Sequence, residues 1–290
     1  IFAMNANQVS SNIYEDLIEA INDGDENTIK DLFDENAVEL FGDYYEYVDI
    51  GDNLISENFV GIGGLGFAFF TNDETRVVKF TTDISEYNFS ERSLSIPNYS
   101  NNIVRIDEFS KIYISTSKAN KGTSIYIILK EYAISLTNKD KENMKLLYGI
   151  NNIFNDCMSR LTVITEEKIR KTEKGIGIIE LTKLADDLLR KINYRDIFER
   201  IIVKSEYPSN TIETEISNAM FRYISFLKKV IEFADVIKPT PDPKMIRFTK
   251  ELLRLSQEGV FFYDIKNSNI GKRDDKVGEY CIFDFGQAIF

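Results

Sequence analysis

The chain contains no histidine, and that single absence removes histidine-based triads, histidine general bases and the commonest zinc sites together. Proton chemistry must therefore fall to carboxylates or lysine. Cysteine is nearly absent too. Cys157 and Cys281 are the only two, far apart and without metal spacing, which gives no sign of a disulfide framework and fits a reducing cytosol. No apolar run approaches a membrane span and no signal peptide is visible, so the expected location is cytoplasmic, with no membrane partner. Internal repeats and low-complexity linkers are also missing, and without a Gly-Lys-Ser/Thr sequence a Walker-type phosphate loop is excluded. The first residue is Ile1, and Met4 is the expected natural start.

What is present is enough apolar material for a sizeable core, or for two small lobes: 290 residues, 43% hydrophobic and 12% aromatic. Charge is unevenly spread. Of a formal net −12, residues 1–58 carry fifteen Asp and Glu against Lys30 alone, and the remainder is close to neutral. The simplest reading of such a block is a solvated surface; the sharper one is a docking face for a basic protein partner, or a mimic of nucleic-acid charge. Direct nucleic-acid binding by this stretch is disfavoured, because phosphates would be repelled.

Periodicity divides the chain. Ile13, Leu17, Ile18 and Ile21, then Ile29, Leu32 and Phe33 after Asp23-Gly24-Asp25, predict an acidic helical hairpin. Short apolar runs at 54–60, 67–71, 76–81, 103–107, 111–116 and 125–130 predict one antiparallel sheet of five or six strands. Asp83-x-x-Glu86 has the form of a capping box opening a helix through about Leu94. Helices are expected near 140–160, 178–203, 212–236 and 243–257, the last bounded by Pro241 and Pro243 before it and Gly259 after it.

Several motifs carry chemistry. Gly61-Ile62-Gly63-Gly64-Leu65-Gly66 lies between two expected strands, where glycines let backbone amides approach phosphate oxygens, although an ordinary hairpin would look the same. Because Phe67-Ala68-Phe69-Phe70 continues as strand, a dinucleotide-binding loop, which should run into a helix, fits less well. In Arg76-Val77-Val78-Lys79-Phe80, alternation sets Lys79 on the face opposite Val78 and Phe80. A lysine so placed needs a carboxylate. Ile84, Tyr87, Glu91 and Leu94 form one helical stripe, which favours Glu91, with Glu86 as the rival already suited to capping. Ile127 to Ala133 reads as a buried last strand. The strongest signal is Asp264-x-Lys266-x-x-Asn269 in a polar turn, followed by the apolar strand Tyr280-Cys281-Ile282-Phe283 and then Asp284-Phe285-Gly286.

In this order, the glycine loop, Lys79, Glu91, Asn102-Ile103-Val104, Glu131-Tyr132-Ala133, Asp264 to Asn269 and Asp284-Phe285-Gly286 resemble the eukaryotic-type protein kinase family, over about residues 54–135 and 243–290. Lys266 two residues after Asp264 resembles the serine/threonine branch. The resemblance implies an α+β, bilobal protein kinase-like fold with an antiparallel-sheet N-lobe and a truncated, mostly helical C-lobe. Its parts would be an acidic helical extension (1–53), N-lobe and hinge (54–135) and C-lobe (136–290), the last with a helical insert at 136–243 and the catalytic segment at 259–290. It implies ATP- and Mg²⁺-dependent transfer to Ser or Thr of protein substrates. Asp264 would orient the acceptor hydroxyl and Lys266 would meet the transferred phosphate. Asn269 and Asp284 would hold magnesium, and Lys79, fixed by Glu91, would contact the α- and β-phosphates. Nucleotide would also meet Gly61, Gly63, Gly64 and Gly66, an apolar lid of Val60 and Ala68, and backbone groups near Glu131 and Ala133.

Three features depart from the family pattern. Phe262 and Tyr263 replace the usual His-Arg, Lys130 stands where an apolar gatekeeper is usual, and nothing follows Phe290 where an activation segment is expected. A kinase ending just after its magnesium-binding Asp, with an acidic helical start, resembles the early protein kinases of lytic short-tailed bacteriophages. That likeness implies a viral enzyme acting on host proteins in the host cytoplasm. Two alternatives stay open: a catalytically weak kinase-like binding protein that sequesters a host factor through its acidic N-terminus, and a small-molecule phosphotransferase. Deleting residues 4–50 is expected to abolish partner binding by a sequestering protein while sparing an enzyme's site.

Overall fold

Alternation organises the first half of the fold. In Arg76–Thr81 (β3), Val78 and Phe80 are fully buried on one face while Val77 and Lys79 occupy the other. The computed structural model describes residues 11–49, 51, 53–94, 102–114, 123–173, 175–189, 191–238, 240–273, 278–285 and 288–289. It sets β3 at the centre of a five-stranded antiparallel sheet. The others are Phe59–Gly63 (β1), Gly66–Phe70 (β2), Ile106–Ile114 (β4) and Thr123–Glu131 (β5), in the order β1-β2-β3-β5-β4. Lys79 faces Ile128 and Val77 faces Lys130 across the β3–β5 ladder, so these four side chains share one face.

Three of the expected runs differ from the strands observed. The runs at 103–107 and 111–116 supply one strand, β4, because Ile103 forms an isolated parallel bridge with Ile282 instead; residues 115 and 116 lie outside the described residues. Ile55–Asn58 form a short 3-10 turn, and β1 begins only at Phe59.

Ser11–Asp23 (α1) and Glu26–Phe41 (α2) form the expected hairpin, with Gly24 at φ 68° in its turn and Asp25 capping α2 through a bond from Thr28 N of 3.2 Å. A short helix, Tyr45–Val48 (α3), follows. The apolar stripe of this hairpin is buried in the same core as Phe67, Phe69, Val78, Phe80, Ile127 and Leu129 of the sheet. Phe33 is its hub, with ring centroids 4.9 Å from Phe41, 5.4 Å from Phe67, 4.8 Å from Phe69 and 5.0 Å from Phe80. Such edge and tilted arrangements add to the area that each ring buries. Asp16, Glu19, Asp31, Glu35 and Glu39 stay exposed on the outer side. The acidic stretch therefore lines the sheet's own core, and removing residues 4–50 would uncover eight buried sheet side chains. The deletion would then report on folding and not on a partner.

The other face of the sheet carries Ile84–Ser93 (α4). Asp83 caps it by accepting a bond from Ser85 N at 2.8 Å, but Glu86 does not complete a capping box, since its carboxylate turns to the sheet.

After Ala133–Ser135 (β6) the chain is helical: Asn138–Met144 (α5), Gly149–Thr172 (α6), Ile178–Leu189 (α7), Tyr194–Phe198 (α8), Thr211–Glu232 (α9) and Pro243–Gln257 (α10). The single helix expected over 178–203 is interrupted. α7 stops at Leu189, Asn193 accepts a bond from Asp196 N as α8 restarts, and Glu199–Val203 widen into a π turn. Four short strands close the chain: Phe261–Phe262 (β7), Ile270–Arg273 (β8), Tyr280–Ile282 (β9) and Ala288–Ile289 (β10). The molecule is thus α+β and divides into two units, Ile1–Ile134 with Lys272–Gly286, and Ser135–Gly271 with Gln287–Phe290. No helix among the described residues is long and apolar enough to cross a membrane.

In the second unit Tyr223 is completely buried, 5.3 Å from Phe261 and 5.7 Å from Phe154, and Phe154 lies 5.1 Å from Tyr263. This aromatic cluster ties α6 and α9 to the strand that leads into the Asp264 turn.

Phe33→Ala leaves a cavity bounded by four rings that cannot all collapse, so it is expected to destabilise the protein by about 3–5 kcal/mol. Urea unfolding monitored by far-ultraviolet circular dichroism measures the loss.

Candidate functional site

Taking a carboxylate out of water is costly unless cations and donors meet it. Glu86 is 1% exposed, and both of its oxygens are met: Oε2 by Lys79 Nζ at 2.6 Å and Oε1 by Lys130 Nζ at 2.9 Å. The expected partner of Lys79, Glu91, is exposed on the far side of α4. The buried face of this helix is Glu86, Phe89, Ser90 and Ser93, while Ile84 and Leu94 of the expected stripe are 55% and 62% exposed. Small serines let the helix approach the sheet, and they carry no hydrophobic signal that would mark this face in the sequence.

Lys79 Nζ also lies 3.8 Å from Asp284 Oδ1. Burial pulls its pKa down, but Glu86 and then Asp284 outweigh that and hold it above the ordinary lysine value. For Lys130 burial wins, helped by the like charge of Lys79, and its pKa is lowered despite Glu86. The two act oppositely on stability. Lys79 contributes stabilisation that is complete below the pKa of an unfolded lysine and is lost as pH rises through its raised value. Lys130 imposes a cost that is full below its lowered value and is relieved progressively as pH rises from there to the pKa of an unfolded lysine.

Asp284 arrives on β9, which is fixed at both ends of a neighbouring segment. Asn102 Nδ2 donates to Tyr280 O at 2.6 Å, Ile282 N donates to Asn102 O at 2.9 Å, and Val104 N donates to Ile282 O at 3.0 Å. Phe285 stacks on Phe89 of α4 with centroids 4.5 Å apart, and Gly286 lies outside the described residues. The Glu131 carboxylate accepts from Arg105 N at 3.0 Å and from the Arg273 guanidinium at 2.9 Å, and Glu131 N donates to Arg105 O at 2.8 Å. Ala133 is buried.

The glycine loop is the β1–β2 hairpin, with Gly63 opposite Gly66. Gly66 is fixed by close approach, because a Cβ there would stand 2.1 Å from Phe80 O. Leu65 O accepts from Thr82 N at 2.9 Å and from Thr81 Oγ1 at 3.1 Å, which ties the loop tip to the end of β3. Gly61 has φ 155°, Gly64 is exposed in the turn, Val60 is 41% exposed, and Ala68 sits directly across the ladder from Lys79.

In the second unit, Gly259 at φ 87° ends α10 and Val260 N donates to Leu255 O at 2.9 Å, a Schellman-type stop that feeds β7. The following turn is held from within. Asn269, 6% exposed, donates from Nδ2 to Asp264 Oδ2 at 2.8 Å and to Asp264 O at 3.0 Å, and Lys266 Nζ lies 2.6 Å from Asp264 Oδ2. Sequence reasoning missed two supports: Asn151 Oδ1 accepts from Ile265 N at 2.8 Å, and Tyr148 donates to the Asn267 side chain. Both lie over a hundred residues upstream, with no local signal to reveal them.

The first unit thus holds Lys79, Glu86, Lys130 and Asp284 together with the glycine hairpin, and the second holds Asp264, Lys266 and Asn269. Among the described residues no group of three or more His, Cys, Asp or Glu converges as a metal cage. Asp284 in the first unit and Asn269 in the second each carry a hard oxygen donor, the kind of atom that suits magnesium. No protein-family model matches the chain, and a search of curated proteins returns no match.

Glu86→Gln would leave the buried Lys130 ammonium without a carboxylate partner and Lys79 with only Asp284 at 3.8 Å, and is expected to cost about 3–5 kcal/mol. Glu91→Gln, on the exposed face, should change stability by no more than about 0.5 kcal/mol. Paired urea melts of the two variants check this, and equal effects would overturn the assignment of Glu86.

Proposed function

We propose that this protein is an ATP- and Mg²⁺-dependent serine/threonine protein kinase with a bilobal protein kinase-like fold. The observation that carries the reading is Lys79, its ammonium bonded to a buried helix carboxylate and 3.8 Å from Asp284, on the strand next to a glycine hairpin. A lysine fixed in this way is a preset cation for the α- and β-phosphates of a nucleotide. The glycine hairpin supplies backbone amides to the phosphates, Val60 and Ala68 cover the base, and backbone groups near Glu131 and Ala133 meet its edge.

Asp264 accepts the proton of a Ser or Thr hydroxyl as that oxygen attacks the γ-phosphorus and the bond to the β-phosphate oxygen breaks, releasing ADP. Asn269 and Lys266 hold the Asp264 carboxylate at 2.8 and 2.6 Å, so little reorientation precedes transfer. Lys266 remains close to the charge on the transferred group. Asn269 and Asp284 would hold magnesium, which when bound neutralises charge on the phosphate oxygens. The resemblance to phage early kinases makes host cytoplasmic proteins the expected substrates, and the exposed carboxylates of α1 and α2 suit a basic partner.

Transfer of γ-labelled phosphate from Mg-ATP, with the chain alone and in bacterial lysate, tests the proposal. Asp264→Asn should lower transfer by about 10²–10⁴-fold while nucleotide affinity stays nearly unchanged. Full turnover in that variant would sink the assignment. Label on a metabolite and on no protein would make the enzyme a small-molecule phosphotransferase, and ATP binding with no label on anything would favour the kinase-like binding protein.

A further inference from the structure

A lysine ammonium in a protein interior is tolerated only where partners replace its water. Lys130 on β5 is 3% exposed, and its partners come from two separate parts of the first unit. Its Nζ donates to Glu86 Oε1 of α4 at 2.9 Å and to the carbonyl of Phe283 at 2.6 Å, and it stands 5.1 Å from the ring centroid of Phe285. Each partner adjoins a group that the proposed reaction uses. The second oxygen of Glu86 holds Lys79 at 2.6 Å, and Phe283 immediately precedes Asp284. Phe285, under the same ammonium, stacks on Phe89 one turn along from Glu86. One carboxylate, one carbonyl and one aromatic ring thus meet around a single cation.

We infer that Lys130 is a positioning residue that clamps helix α4 to the Phe283–Phe285 segment, and so fixes both Lys79 and Asp284 for phosphotransfer. The inference rests on the kinase reading above. An apolar side chain of similar size would fill the space but would remove the donor from Glu86 Oε1 and from Phe283 O. Lys79 would then be the only cation on Glu86, and the peptide before Asp284 would lose its tie to β5. The clamp needs no added phosphate and no second protein, because all its parts belong to one unit of this chain.

The test compares full-length wild type with Lys130→Met by steady-state transfer of labelled phosphate to bacterial-lysate protein, and by amide hydrogen exchange without nucleotide. A loss of about 10²-fold in kcat with little change in KM for ATP is expected, as for a misplaced catalytic group. Exchange should quicken in 84–93 and 278–285 while β1 to β3 keep wild-type protection. A general structural defect would instead raise exchange throughout the unit, and that result overturns the clamp. Wild-type kcat, or unchanged exchange in both segments, overturns it as well. If the wild type itself transfers no phosphate, the kinase reading falls; exchange that still quickens in only those two segments upholds the clamp, and unchanged exchange overturns it. Should Lys130→Met fail to fold, Lys130→Leu, which likewise lacks the donor, is read by the same criteria.

Discussion

The carboxylate of Glu86 has almost no contact with water, and both of its oxygens are taken by lysines from adjacent strands. A buried carboxylate with a single cation would keep one oxygen without a partner; with two cations both oxygens are satisfied, and the surplus positive charge is met partly by Asp284 and partly by the Phe283 carbonyl. The arrangement joins three parts of the chain that are distant in sequence: the sheet, α4 and the segment after β9. Because Glu86 and Lys130 are buried, removing either one leaves an uncompensated charge or donor in the interior, so the pair holds the geometry around it.

The sheet bears this charge on one face only because its other face is shielded by hydrocarbon. Phe33 and its neighbours on α1 and α2 bring apolar side chains to the sheet while their acidic residues point to solvent. One stretch therefore supplies a core layer and most of the net charge. A helix presents two faces, so strong acidity does not make a segment separable. Lys79 and Phe80 are neighbours in β3 and point into opposite layers, one electrostatic and one aromatic.

Much of this could be read from the chain. β-like runs separated by turn residues pointed to one antiparallel sheet of five or six strands, of which five are observed, and the Asp23-Gly24-Asp25 break pointed to the helical hairpin. Alternation in β3 placed Lys79 opposite Val78 and Phe80. The spacing of Asp264, Lys266 and Asn269 marked a polar turn whose members do bond to one another. What misled was α4. Ile84, Glu91 and Leu94 of its expected stripe are exposed while Tyr87 packs on Phe109 and Tyr126, and its buried face is made of a glutamate, a phenylalanine and two serines. Lys130 stood out in the sequence only as a charged residue among apolar ones, since its partners lie 44 and 153 positions away.

Local order was set by the sequence itself, because strand alternation, helix capping and turn preferences act over a few neighbours and need no knowledge of the rest of the chain. By those means it determined the sheet, the N-terminal hairpin, the glycine turn and the Asp264 turn. Tertiary structure alone decided which carboxylate Lys79 would take and what Lys130 would hold. An ion pair between distant residues depends on which helix face meets the sheet. That choice goes with the burial of Glu86, Ser90 and Ser93 and with the stacking of Phe89 on Phe285, interactions that exist only once the segments have come together.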